Sequence, residues 1–127
     1  MTQLRELYKC EICGNVTEVV HEGAPALVCC GEDMKKLTAA TEDKGNEKHV
    51  PVVEEIDEGI KVKVGDIEHP MEDEHYIKFI EVLTDNQVLR AELEPGQKPE
   101  AEFDVSLSDI NNVREYCTVH DLWKNEL

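Results

Sequence analysis

The 127 residues are enough for one ordinary domain, or for a very small one joined to a β-domain. With 29 acidic against 13 basic residues the net charge is −16, which argues against nucleic acid or an anionic membrane as a partner, because a phosphate surface would be repelled. No apolar run follows a basic segment near Met1 and none is long enough to cross a bilayer, so neither a signal peptide nor a membrane span is expected, and five cysteines, an odd number, do not suit a simple disulfide framework.

Residues Met1 to about Lys36 form a cysteine module. Leu4, Leu7 and Tyr8 lead into Cys10-Glu11-Ile12-Cys13; after fifteen intervening residues comes Cys29-Cys30. The x-x spacing places two sulfurs on one side of a metal from a single tight turn, and the returning chain supplies the other pair. Val16 to Val20 is rich in β-branched residues, as a short strand would be. Gly14 and Gly31 each follow a cysteine pair, where a tight turn can aim amide N–H groups at sulfur. A module of about 40 residues buries little apolar surface and needs a staple. Successive side chains of an extended segment point to opposite sides, so Cys29 and Cys30 can share one ion only if the backbone bends. Zinc and iron both accept four thiolates, and a zinc staple or disulfides are open alternatives at this point. His21, in a turn, reads as solvent-facing.

Thr38 to Glu47 is polar and aperiodic and reads as a linker. The chain thus divides into residues 1–37, a linker 38–48 carrying Glu47 and Lys48, and residues 49–127. The last part has a β pattern. Apolar residues alternate in Ile60–Val64, Leu89–Leu93 and Ala101–Val105; Val50–Ile56 and Tyr76–Leu83 also read as strands, the second more fully buried. Asp57-Glu58-Gly59, Thr84-Asp85-Asn86 and Glu94-Pro95-Gly96 are turns between them. Short strands at this spacing predict a mainly β fold, an antiparallel sandwich.

A second set of ligand-type residues is spread along this part: His49, His69, His75, Cys117 and His120. His69 precedes Pro70 in a rigid loop, His75 is expected to begin the next strand, and Cys117-Thr118-Val119-His120 lets one loop supply two ligands. Four imidazoles and a thiolate are one ligand more than a tetrahedral structural zinc site needs. They could occupy a plane about an ion with the thiolate axial and the opposite position open, as a reactive site requires. Tyr116 and Trp123 flank this loop as apolar support.

Six motifs in order carry a resemblance over essentially the whole chain: Tyr8-Lys9-Cys10-x-x-Cys13-Gly14-Asn15, Val28-Cys29-Cys30, Glu47-Lys48-His49-Val50-Pro51, His69-Pro70-Met71, His75-Tyr76-Ile77 and Arg114-Glu115-Tyr116-Cys117-x-x-His120. In these the chain resembles a two-iron desulfoferrodoxin, a superoxide reductase. The resemblance implies an N-terminal rubredoxin-like iron centre held by Cys10, Cys13, Cys29 and Cys30. It implies an immunoglobulin-like β-sandwich with a catalytic iron bound by His49, His69, His75 and His120 in a plane and by Cys117 axially. It implies reduction of superoxide to hydrogen peroxide without dioxygen, with Glu47 taking the sixth position after oxidation and Lys48 attracting the anion. An electron donor such as a rubredoxin or a reductase, a homodimer and a cytoplasmic location are further expectations. One departure lies at Asp121-Leu122-Trp123, where relatives tend to have glycine and histidine before the tryptophan; the extra carboxylate could tune the potential or the proton supply.

Overall fold

The computed structural model describes residues 1–42, 49–65 and 69–126. They fall into two compact units, Met1–Thr38 and Ala39–Leu127. In the first, β1 (Leu7–Lys9) lies between β2 (Val16–Glu18) and β5 (Lys35–Lys36) in an antiparallel sheet, and β3 (Val28–Cys29) pairs with β4 (Glu32–Asp33) as a hairpin. Its buried apolar residues are Leu7, Cys10, Val19 and Leu37, too few for a self-sufficient core. Polar ties supplement them. Thr2 and Gly23 exchange hydrogen bonds. The Glu6 carboxylate accepts from Tyr8 Oη at 2.9 Å and pairs with Lys36 Nζ at 2.7 Å, and the Lys36 contact above all lowers the Glu6 pKa to about 2.

The second unit is an immunoglobulin-like sandwich of two antiparallel sheets. Its strands are β6 (Pro51–Ile56), β7 (Gly59–Val64), β8 (Ile77–Thr84), β9 (Val88–Glu92), β10 (Glu100–Phe103), β11 (Ile110–Cys117) and β12 (Asp121–Glu126), with a 3₁₀ turn at Leu107–Asp109. The sheets run β10-β7-β6 and β12-β11-β8-β9. Ile60, Val62 and Val64 alternate with half-buried residues along β7, as a one-sided strand requires. They form the core with Ile77, Ile80, Val82, Val113 and Cys117. Gly59 opens β7 at φ 139°, and a Cβ there would lie 2.1 Å from the Phe103 carbonyl oxygen, so the close approach of β10 requires glycine.

Two features of the larger sheet aim residues at the site. Pairing between β8 and β11 passes from Phe79↔Tyr116 to Ile77↔Cys117, leaving Lys78 as an extra residue, a bulge. The bulge lets Ile77 and Cys117 enter the core while Phe79 and Tyr116 stack on the other face, with centroids 5.6 Å apart. The edge of β12 is met by Ala40, in a parallel bridge with Trp123: Ala40 N donates to Leu122 O and Lys124 N to Ala40 O, at 3.0 and 2.9 Å.

Strands β1, β3–β5, β11 and β12 are additions to the expected set, and β8 begins two residues beyond His75, which closes a turn with Glu72 instead. Strand β11 escaped sequence reading because its polar residues are inside. Glu81 on β8 is fully buried between Arg114 Nε (2.5 Å) and Arg90 Nη1 (3.0 Å), its cross-strand neighbours on both sides. Breaking such a buried group leaves uncompensated charge. Glu81→Gln is therefore expected to lower the unfolding free energy by about 3 kcal/mol, measured as a shift of the urea midpoint; an unchanged midpoint would show that the ion triad contributes nothing.

Candidate metal centres

In the N-terminal unit the turn after Cys10 is closed by Gly14 N–H donating to Cys10 O at 2.9 Å, with Gly14 at φ 86°. Cys13 N–H donates to Cys10 Sγ at 3.5 Å. Amide donation from Cys13 and Ile12 favours the thiolate, lowering the Cys10 pKa to about 6. The bend demanded of Cys29-Cys30 is present. Cys30 (φ 53°) and Gly31 (φ 77°) form the two-residue loop between β3 and β4, both in the left-handed region that a tight hairpin favours. This costs about 1–2 kcal/mol at a residue with a Cβ, and it turns the Cys30 sulfur back toward Cys29.

All four cysteines are free thiols. Cys13 Sγ lies 3.6 Å and Cys30 Sγ 3.9 Å from Cys29 Sγ. Two sulfurs each about 2.3 Å from a shared ion stand about 3.8 Å apart at the tetrahedral angle, so the spacing fits one tetrathiolate-bound metal. Electrostatics agrees. Contacts with Cys13, Cys10 and Cys29 push the Cys30 thiol up to about 12: four sulfurs this close cannot all ionise without a cation among them.

In the larger unit the second set also converges. The ligand atoms of His49, His69, His75, Cys117 and His120 all lie within 4.8 Å of one another. They come from four places: His49 just ahead of β6, His69 and His75 on either side of the turn before β8, Cys117 at the end of β11, and His120 in the loop to β12. The rings form a closed circuit, each edge-on to the next: His49–His69 at 4.6 Å between centroids, His69–His75 at 4.9 Å, His75–His120 at 5.1 Å and His120–His49 at 4.7 Å. His49 Nε2 is 3.0 Å from His69 Nε2 and 3.1 Å from His120 Nδ1. Nitrogens about 2.1 Å from a shared ion stand about 3.0 Å apart at right angles and about 3.4 Å apart at the tetrahedral angle. The observed spacing of these two pairs fits neighbours at right angles about a shared ion. Cys117 Sγ, fully buried, lies 3.6 Å from His69 Nε2 and 3.8 Å from His120 Nδ1.

The chain around these residues holds them in place. His69 Nδ1 lies 2.7 Å from Pro70 O, which leaves Nε2 for the centre. Ile77 N–H donates to Met71 Sδ, and the loop after Cys117 is tied to the turn before β8 by Thr118 N–H to Tyr76 O at 3.0 Å. Trp123 Nε1–H donates to His120 O at 2.9 Å, and its indole stacks on His49 at 4.6 Å and 15°. Expected only as apolar support, Trp123 makes specific contacts with two of the histidines; the hydrogen bond has no sequence signal. Asp121 has φ 64°. Glycine adopts that conformation freely and aspartate tolerates it. Glu47 and Lys48 lie outside the described residues, and His21 is exposed, as expected.

Comparison with known proteins agrees with this geometry. The profile of the desulfoferrodoxin family matches residues 41–126, and that of the desulfoferrodoxin N-terminal domain matches residues 2–37. A desulfoferrodoxin homolog of Archaeoglobus fulgidus is 50% identical over 98% of this chain and 99% of its own. A superoxide reductase of Pyrococcus horikoshii is 33% identical over 74% of this chain and 97% of its own. The crystal structure of the superoxide reductase from Treponema pallidum superposes with a TM-score of 0.78 at 28% identity, covering 95% of this chain and 97% of that one. With both profiles matched in order and the two cysteine and histidine sets each drawn together in the fold, the chain belongs to the desulfoferrodoxin family.

Proposed function

We propose that the protein is a superoxide reductase with two irons per chain. Residues 1–37 are the Fe(Cys)4 domain, bound through Cys10, Cys13, Cys29 and Cys30 and serving electron transfer or structure. Residues 49–127 are the catalytic domain, with His49, His69, His75, His120 and Cys117 as ligands, and residues 38–48 are the linker that presents Glu47 and Lys48. The observation that carries this reading is the closed circuit of four imidazoles with a buried thiolate beside it. Ferrous iron there would supply one electron to superoxide, which with two protons becomes hydrogen peroxide.

The chain's own residues set the conditions. Burial of Cys117 keeps water from the sulfur and preserves its electron-donating character. Exposed Glu72, Asp73 and Glu74 lie on the turn that ends at His75, and a net charge of −16 repels anions overall. Attraction of superoxide therefore has to be local, and we assign it to Lys48, which would also help deliver a proton through water. Glu47 is assigned the sixth position in the oxidised protein. The electron donor is a rubredoxin or a reductase, and the protein acts as a homodimer. Cysteines gathered into two ligand sets, and not into disulfides, suit the cytoplasm. Among the described residues no helix is long and apolar enough to cross a membrane.

The direct test mixes the ferrous protein with a pulse of superoxide and counts products. One peroxide per superoxide and no dioxygen is the expected result; half a peroxide with dioxygen would mean dismutation, and no oxidation of the iron would mean an electron carrier. Lys48→Ile should slow the reaction about tenfold at low ionic strength and flatten its salt dependence, with iron still bound; an equal rate removes the assigned role. Cys13→Ser should abolish the tetrathiolate absorption and spare superoxide reduction, and loss of the activity in a folded variant would tie the first centre to catalysis. Metal uptake at the thiolate centre has a set pH dependence. Cys10 is already ionised at neutral pH, but Cys30 must lose a proton it holds up to about 12. Affinity therefore falls as pH falls, about tenfold per unit for each proton released, measurable by competition with a chromogenic chelator.

A further inference from the structure

We propose that Trp123 is the positioning residue of the His/Cys centre: its indole face fixes the plane of the His49 ring, and its Nε1–H holds the loop that carries His120. The inference rests on the reading that these residues bind a metal, and not on the identity of the substrate.

Trp123 contacts two ligands that enter from distant parts of the sequence. His49 precedes the first strand of the sandwich and His120 precedes the last. Every neighbouring pair of the four imidazoles is edge-to-face, with interplanar angles of 66° to 89°. The indole alone lies nearly parallel to one of them, at 15°. The offset parallel stack resists rotation of the His49 ring, and ring rotation would swing its Nε2 off the line to a shared ion. The second contact acts on the main chain. His120 presents Nδ1, the nitrogen nearer its own backbone, so a shift of that backbone carries the ligand atom with it more directly than it would through Nε2. The 2.9 Å hydrogen bond from Trp123 Nε1 to His120 O holds that backbone in place.

Trp123 is itself well anchored. It pairs with Glu115 of β11 on one side. On the other, Ala40 brackets it with hydrogen bonds to the residues before and after, Leu122 O and Lys124 N. The side chain is 9% exposed. An aromatic residue serving only as filling would need neither the donor nor the parallel alignment; both contacts here end on ligands. Groups that orient metal-bound histidines in this way typically contribute about 10–100-fold in metal affinity or activity.

The test uses cobalt(II) in place of iron, because its ligand-field and thiolate charge-transfer bands report ligand geometry without turnover. Trp123→Leu removes both contacts. Cobalt should then bind the His/Cys centre about 10–100-fold more weakly, with shifted bands, while binding at the four-cysteine centre of the same chain stays as it was. Trp123→Phe keeps a ring to stack but has no donor, and should shift the bands the same way by less; if the leucine variant does not fold, this variant decides. Wild-type affinity with superposable bands in the folded variants would overturn the proposal, even if their urea midpoint were lower, since that pattern describes packing alone. A wild-type protein showing no His/Cys cobalt spectrum would overturn the metal reading and this inference with it. Failure of the superoxide experiment with these cobalt results intact would leave the positioning role standing.

Discussion

Five lone-pair donors held within 4.8 Å of one another are the constraint on which the larger unit depends. Nitrogens 3.0 and 3.1 Å apart, all turned toward one point, repel unless a proton or a cation lies between them. The sandwich meets that cost with rigid parts: a strand end for Cys117, a turn closed by backbone hydrogen bonds between Glu72 and His75, a proline carbonyl beside His69 and a stacked indole over His49. The bulge at Lys78 belongs to the same set, because without the change of register Ile77 and Cys117 could not both face inward.

The two centres solve opposite problems. In the N-terminal unit a metal held by the four cysteines would supplement a core that is too small, and the sulfur spacings fit a tetrahedral site. In the sandwich the core draws on only one of the ligands, Cys117, since β7, β8 and β11 pack Ile60, Val62, Ile80, Val82 and Val113 to near-zero exposure. There the fold imposes right-angled spacing on nitrogens. Exposure is mixed in both ligand sets: Cys10 is buried while Cys13 and Cys30 are open to solvent, and Cys117, His49 and His69 are buried while His120 is open.

Sequence carried a large share of this. Ile60–Val64 alternates because only one of its faces meets the core, so its period of two was visible. The ligand residues were visible because cysteine pairs and histidines beside proline or strand ends are chemically conspicuous. Strand β11 was not, because Arg114 and Glu115 are charged yet buried, and burial of charge depends on partners that lie far away in sequence, such as Glu81. The direction of Cys30 was legible only as a requirement: adjacent cysteines need a bend, but a left-handed residue other than glycine is not announced by its type. The contacts of Trp123 were hidden for the same reason, since a tryptophan near ligands looks the same whether it fills space or orients them.

The chain has a single tryptophan, and it stacks on His49 of the His/Cys set. Indole emission is sensitive to a nearby transition metal and to the protonation of a stacked imidazole. Excited at the red edge of the indole band, where the three tyrosines absorb little, the emission would come from the His/Cys site, so that loading of this site with a metal could be followed by light without labelling.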